Sequence, residues 1–333
     1  MPLPDTRYLG STGVKISPLC LGTMSFGDAA DVDTAAAMVR RSREAGINVF
    51  DCANVYADGR SEEIVGHLIA DCREEVVLTT KVYFPTGDGP NQRGASRYHI
   101  VRAVENSLRR LGTDRIDVYF VHRFDDETTL DETLRTLDDL VHQGKVLYLG
   151  ASNFAAWQVM KALGRQRAEG WTPFHVLQPM YNLTKRQAEV EILTMAQAES
   201  LGVLPYSPLG GGLLTGKYGV DKRPDAGRLV ENTMYQTRYG DAMHYEVAER
   251  FSSFAADHGY DPVALAVAWV AHHPAVTAPI LGARNVEQLN GSLAALDIDM
   301  TPDLYAAIAD LSPTPPPATD RVEERSEHTY GSR

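Results

Sequence analysis

Residues 76–122 read VVLTTKVYFPTGDGPNQRGASRYHIVRAVENSLRRLGTDRIDVYFVH, and this stretch decides the fold. A β-rich apolar run, Val76–Val82, leads through the Gly-rich loop Gly87–Gly94 into a helical pattern over Tyr98–Leu111. A second β-rich run, Asp117–His122, closes the unit. Ser96 stands where a helix N-cap is expected, and Gly112 takes the C′ position that stops the helix. A gap of helix length excludes a hairpin, so the two strands are expected to be parallel neighbours joined by a crossover.

The unit recurs on both sides. Further β-rich runs lie at Leu19–Thr23, Val49–Cys52, Val146–Ser152, Val176–Tyr181, Val203–Leu209 and Ala278–Arg284. Amphipathic helical stretches such as Asp33–Glu44, Thr129–Val141 and Pro262–Ala271 fall between them. Eight such runs predict an α/β protein of the (β/α)8 TIM-barrel class. An open doubly wound sheet shows the same local pattern, but eight units without a Gly-rich opening turn favour closure. Tyr8-Leu9, the turn Gly10–Gly13 and Val14–Ile16 predict an N-terminal β-hairpin ahead of the barrel. Gly210–Gly240 is read as a long loop after the seventh strand, a length that is usually functional or disordered. Residues 1–311 read as one barrel domain. Residues 312–333, Pro-rich and then charged, read as a C-terminal tail that frays or drapes over the surface.

Composition bounds the function. The 333 residues are 44% hydrophobic and 23% charged, which is globular rather than disordered. With 32 Lys+Arg against 44 Asp+Glu, the net charge of −12 argues against nucleic acid as a partner. No run of about 18 apolar residues suggests a membrane span, and the opening Met1–Asp5 lacks the basic and apolar regions of a signal peptide. Cys20, Cys52 and Cys72 are odd in number and lack metal spacing, so a cytoplasmic location and no metal are expected.

In this fold the chemistry sits at the carboxyl ends of the strands. The second run ends in Asp51, with Tyr56 five residues on; the third carries Lys81; the fourth ends in His122. Ionisable residues inside apolar β runs are costly unless paired, which makes Asp51 and Lys81 each other's counter-charge. Singly, such a residue is more often a structural ion pair or a satisfied histidine than a catalyst. On consecutive strand ends, with one Tyr in reach, they read as a catalytic set.

These residues and their flanks resemble the aldo-keto reductases over roughly Tyr8 to Ala295. The marks are Leu21–Met24, Phe50–Tyr56, Thr80-Lys81, Val121-His122, Gly150–Phe154, Gln178, Pro205–Leu209 and Ile280–Arg284. Gly89–Gln92 and Leu209–Tyr218 are closer in style to bacterial members and potassium-channel beta subunits than to mammalian aldose reductases. The resemblance implies a catalytic tetrad of Asp51, Tyr56, Lys81 and His122. Tyr56 is the implied general acid toward a carbonyl oxygen, with its pKa lowered by Lys81. Asp51 balances Lys81, and neutral His122 orients the carbonyl.

The resemblance also implies NADP(H), with NAD(H) as the alternative. Ser152, Asn153 and Gln178 would bind the nicotinamide carboxamide, Tyr206 would stack on the ring, and Gly22, Thr23 and Met24 would line its side together with Asp51. Ser152 and Asn153 read equally as N-caps of a helix around Ala155–Leu163. Ser207, Leu209, Gly211 and Lys217 would follow the pyrophosphate. Gly282 and Arg284, ahead of a helix starting near Asn285, suit a 2′-phosphate, with Gln288 and Ser292 near the adenosine; Arg284 reads also as a solvated rim residue. No Gly-x-Gly-x-x-Gly opens the chain. Gly211–Lys217 has phosphate-loop spacing, but Tyr218 stands where Ser or Thr is required.

The small-molecule carbonyl substrate is expected to meet Ser25, Phe26, Tyr83, Phe84, Arg123 and Phe124, although the aromatics read equally as core. Arg123 reads as an anion contact or as the partner of Asp125 or Asp126. The function expected is carbonyl reduction. The alternatives are a nucleotide-sensing subunit with little turnover, or a reductase for a nucleotide-linked deoxysugar or sugar phosphate. Oligomeric state is left open.

Overall fold

The computed structural model describes residues 6–325; residues 1–5 and 326–333, the ends of the opening segment and of the charged tail, lie outside the described residues. Strands β1 (Arg7–Tyr8) and β2 (Lys15–Ile16) pair antiparallel as the expected hairpin. Eight barrel strands follow: β3 (Cys20–Gly22), β4 (Val49–Asp51), β5 (Val77–Val82), β6 (Ile116–Val121), β7 (Val146–Ser152), β8 (Phe174–Gln178), β9 (Gly202–Val203) and β10 (Ile280–Gly282). Every neighbouring pair is parallel, in the order β10-β3-β4-β5-β6-β7-β8-β9. The two edges meet as well. Thr277 and Ala278 donate backbone N–H groups to the Val203 carbonyl at 2.9 and 3.2 Å, and Ile280 donates to that of Pro205 at 2.9 Å. The sheet thus closes into a (β/α)8 barrel.

Helices α1 (Val32–Glu44), α2 (Arg60–Ile69), α3 (Arg97–Leu111), α4 (Leu130–His142), α5 (Ala156–Glu169) and α6 (Ile192–Ala198) each return the chain from one strand to the next. The Ser96 side chain accepts from His99 N–H, and Gly112 ends α3 in the left-handed conformation, as the sequence indicates. Two expectations change. The loop after the seventh strand is not unbroken, because it folds into α7 (Arg228–Glu231) and α8 (Thr233–Tyr239) before α9 (Ala242–Asp257) and α10 (Pro262–His272). Neither Ser152 nor Asn153 caps α5; its N-cap is Ala155. Beyond β10 lie α11 (Val286–Leu293) and α12 (Pro302–Ala309). The start of the tail is tied down, for Arg186 donates to the carbonyls of Ala309 and Ser312, and Arg250 to that of Leu311.

The barrel interior holds Val49, Val118, Phe120, Val176, Leu204 and Ile280, with Leu9 and Ile16 of the hairpin region in the same cluster. Phe120 lies so flat against β7 that a Cβ at Gly150 would stand 2.4 Å from its ring. Packing at that range leaves no room for a side chain.

Candidate active site

Period-two alternation sends Thr79 and Lys81 of β5 to one face and Thr80 to the other. Lys81 has no exposed surface and Asp51 is 2% exposed. The Lys81 ammonium donates to Asp51 Oδ2 at 2.7 Å, to the Cys52 carbonyl at 2.6 Å and to the Tyr56 hydroxyl at 3.2 Å. Asp51 Oδ1 takes a hydrogen bond from Thr79 Oγ1 at 2.7 Å and another from Gln178 Nε2 at 2.8 Å. His122, held by its N–H to the Val82 carbonyl, turns its ring edge-on to Tyr56 at 6.2 Å and to Phe84 at 4.8 Å between centroids. The four residues expected to act together are together.

Electrostatics divides their roles. Burial pushes the Tyr56 phenol up to about 12, although Lys81 pulls the other way. Lys81 thus lowers the phenol's pKa as expected, but desolvation outweighs the ammonium and the net shift is upward. Burial opposes charge on Lys81, but the Asp51 carboxylate and then Tyr56 override it and hold its pKa above the usual lysine value. Burial first, and the Lys81 charge second, keep the His122 pKa well below that of a free imidazole, so His122 is neutral at pH 7.

The expected cofactor residues lie around this group. Ser152 Oγ donates to the Gln178 carbonyl at 2.9 Å. The Asn153 amide donates to the His122 carbonyl and to Ser152 Oγ and accepts from the Tyr206 hydroxyl at 2.7 Å, which leaves one lone pair of its oxygen for a ligand. It brackets three strand ends in addition to any ligand contact. Thr23 is buried, its hydroxyl on the Asp51 carbonyl at 3.0 Å, whereas neighbouring Met24 is 40% exposed. Ser207, Gly210, Gly211, Gly212 and Gly216 all have positive φ, which coils the segment from Ser207 to Lys217 into tight turns. Tyr235 of α8 packs on Gly211, Leu209 is half-buried, and Lys217 is exposed. Gly282 is exposed and open above its Cα. Arg284 is half-buried and close enough to Tyr218 to favour its ionised form, and its N–H is held by Gln288 Oε1 at 3.0 Å. Ser292, expected near the adenosine, is 1% exposed and lies in the last turn of α11.

On the substrate side, Tyr83 and Phe84 are half-buried and edge-to-face at 5.4 Å. Phe124 packs on Phe154 and, at 6.0 Å, on the exposed Trp157. Arg123 is exposed, and the Asp125 offered as its partner instead accepts from Ala95 N–H and Thr128 Oγ1. Phe26 is corrected. It is wholly buried, because Gly27 and Ala30 bond back across the turn and seal it inside, while the Ser25 hydroxyl goes to the Ala283 carbonyl. Sequence reasoning missed Thr79, the Gln178 bond to Asp51, and Trp157. Thr79 was within reach, since it shares the Lys81 face by spacing alone.

Among the described residues, no three His, Cys, Asp or Glu side chains group as a metal cage, and no helix is long and apolar enough to cross a membrane.

Known proteins are similar to this chain along most of its length. The model of the aldo/keto reductase family matches residues 18–313. A Bacillus subtilis protein named as the uncharacterized oxidoreductase YrpG is 39% identical, covering 93% of this chain and 97% of its own. A probable voltage-gated potassium channel subunit beta of Oryza sativa is 34% identical, over 94% and 98% respectively. The norsolorinic acid reductase of Aspergillus flavus is 34% identical, over 91% and 79%.

Proposed function

The chain belongs to the aldo/keto reductase family, and from that premise we propose that it is an NADP(H)-dependent reductase of aldehydes, ketones or sugar carbonyls. One observation carries the reading: the unbroken contact chain Asp51–Lys81–Tyr56, with neutral His122 alongside, at a barrel rim. NADP(H) fits the rim. The left-handed turns from Ser207 to Lys217 form a cradle where backbone can approach a pyrophosphate. Lys217 and Arg284 would supply the cations for its phosphates, Arg284 standing just ahead of the α11 N-terminus. Ser152, Asn153 and Gln178 would hold the carboxamide, and Tyr206 the ring.

When bound, the reduced nicotinamide supplies the hydride that a carbonyl carbon receives. Tyr56 gives a proton to the oxygen on which charge gathers. Its raised pKa keeps it protonated at neutral pH, and an alkoxide is a stronger base than the phenolate it leaves. Lys81 stabilises that phenolate, and Asp51 keeps Lys81 charged. His122, neutral, has one N–H to orient the carbonyl. The buried free cysteines suit the reducing cytoplasm we propose as its location.

The test is NADPH oxidation against a panel of aldehydes, ketoses, sugar phosphates and keto acids, with Tyr56→Phe as control. The variant is expected to lose reduction and keep NADPH binding; retained turnover removes Tyr56 from the role. The Oryza sativa relative, a probable voltage-gated potassium channel subunit beta, favours a second reading, a regulatory subunit that binds the nucleotide with little turnover. Tight NADPH binding with negligible turnover on every carbonyl of the panel would select it.

A further inference from the structure

The segment that delivers Tyr56 is strained. Ala57 (φ 47°) and Asp58 (φ 53°) are both left-handed ahead of Gly59 (φ 91°). Non-glycine residues persist there only where the surroundings over-determine them. What surrounds this segment is an ion cluster outside the barrel wall. Glu62, in the first turn of α2, has no exposed surface. Its Oε1 accepts from Thr80 Oγ1 at 2.6 Å, and its Oε2 accepts from Arg110 Nε and Nη2, each at 2.7 Å. Arg110 comes from α3 and lies against the turn, for a Cβ at Gly59 would stand 2.9 Å from its Cδ and Nε. Thr80 is the neighbour of Lys81 on β5, pointing to the opposite face. At Gly66, α2 approaches α3 so closely that a Cβ would meet the Leu111 carbonyl at 2.3 Å.

We infer that Arg110, Glu62 and Thr80 are positioning residues for the proton donor, a clamp that fixes the Tyr56–Gly59 turn against β5 so that the Tyr56 hydroxyl meets Lys81. The inference rests on the reading of Tyr56 as general acid. A buried ion pair is a poor way to gain stability alone, because apolar residues of like volume often serve as well or better. This one joins the elements whose relative placement sets the distance from Tyr56 to Lys81: the turn, α2 and β5, with α3 as the anchor. Arg110 is 24% exposed at its side chain, so the clamp reaches from the surface to the fully buried Glu62.

The experiment compares Glu62→Gln, Thr80→Val, Arg110→Lys and Arg110→Ala for kcat, KM, NADPH affinity by fluorescence titration, and thermal midpoint. A misplacement on the order of 1 Å costs about 100-fold in rate. Glu62→Gln is therefore expected to lower kcat by about 10- to 100-fold, with NADPH affinity held within about twofold. Thr80→Val should move the same way by less, and Arg110→Lys should retain more kcat than Arg110→Ala. Wild-type kcat in folded Glu62→Gln overturns the inference. If that variant does not fold, wild-type kcat in both Thr80→Val and Arg110→Ala overturns it, as does a parallel loss of kcat and NADPH affinity. Tyr56→Phe in the same assay separates the two claims. If it is inactive while the clamp variants are normal, only the clamp fails; if it turns over, the reading of Tyr56 fails and the clamp with it.

Discussion

Removing either member of the Asp51–Lys81 pair leaves the other buried without a counter-charge, and this gives the sharpest test of the site. Lys81→Met strands a carboxylate that is 2% exposed; Asp51→Asn strands an ammonium with no exposure. Breaking a buried pair from one side costs about 3–5 kcal/mol. Thr79 and Gln178 still bond Asp51 in the first variant, which places it toward the lower end. In the second, Lys81 keeps the Cys52 carbonyl and Tyr56, but neither carries its charge. At about 2 °C per kcal/mol for a large chain, each single variant should melt about 6–10 °C early. The double variant Asp51→Asn/Lys81→Met has no stranded charge and should recover most of the loss, giving a coupling of about 2–3 kcal/mol. All three should lack carbonyl reduction, so stability returns while activity does not. Urea denaturation and NADPH oxidation on the same preparations decide it. Additive destabilisation in the double variant would refute the pairing, and activity recovered with stability would refute the role of Lys81.

Three further outcomes are expected. Arg284→Ala should weaken NADPH binding by about 10- to 100-fold, the worth of a charge-assisted hydrogen bond, and NADH by much less; isothermal titration showing equal losses would remove Arg284 from the 2′-phosphate. Burial, aided by Lys81 at His122, by Arg102 at His99 and by Lys185 at His244, lowers the pKa of these three buried histidines. As pH falls through about 6.5, the unfolded chain takes up protons that the folded chain refuses. Stability present above that pH should therefore decline on acidification, by at most about 1.4 kcal/mol per unit per histidine; a thermal midpoint flat from pH 7 to 5 would contradict this. Gly150→Ala drives a Cβ into the Phe120 ring and should cost about 1–3 kcal/mol or more, which unchanged urea unfolding would disprove.

The barrel was legible because its eight parallel strands are short, apolar and spaced by helix-length gaps. Their boundaries were less so. Of the run Val203–Leu209 only Val203 lies in β9, with one further parallel bridge from Tyr206 to Met180; Pro205 lacks an N–H and Ser207 turns left-handed at φ 60°. Helices α7 and α8 hid in a Gly- and Pro-containing loop, although Asn232, whose side chain accepts from Met234 and Tyr235 N–H, is an N-cap signal. Asp51, Lys81 and His122 stood out as ionisable residues in apolar runs. The Gln178 bond to Asp51 spans 127 residues and exists only once the barrel has closed, so no local pattern could announce it. Phe26 fails for the opposite reason: motif position puts it near the rim, but packing turns its ring into the core.

Closure also explains why the site can hold a full charge in so dry a place and still do proton chemistry. A lysine has three protons to donate. In Lys81 they go to Asp51, to the Cys52 carbonyl and to Tyr56, so none is left for solvent or for a substrate oxygen. Asp51 is equally spoken for, by Lys81, Thr79 and Gln178. The ion pair is thus pinned on every side but one, and its influence leaves through the Tyr56 hydroxyl. Of the four residues Asp51, Tyr56, Lys81 and His122, two still have a proton to offer a carbonyl, the phenol of Tyr56 and the imidazole of His122. The second is too weakly basic in this setting to hold an added proton at neutral pH. The division of labour follows from that count of donors, with the imidazole orienting and the phenol delivering.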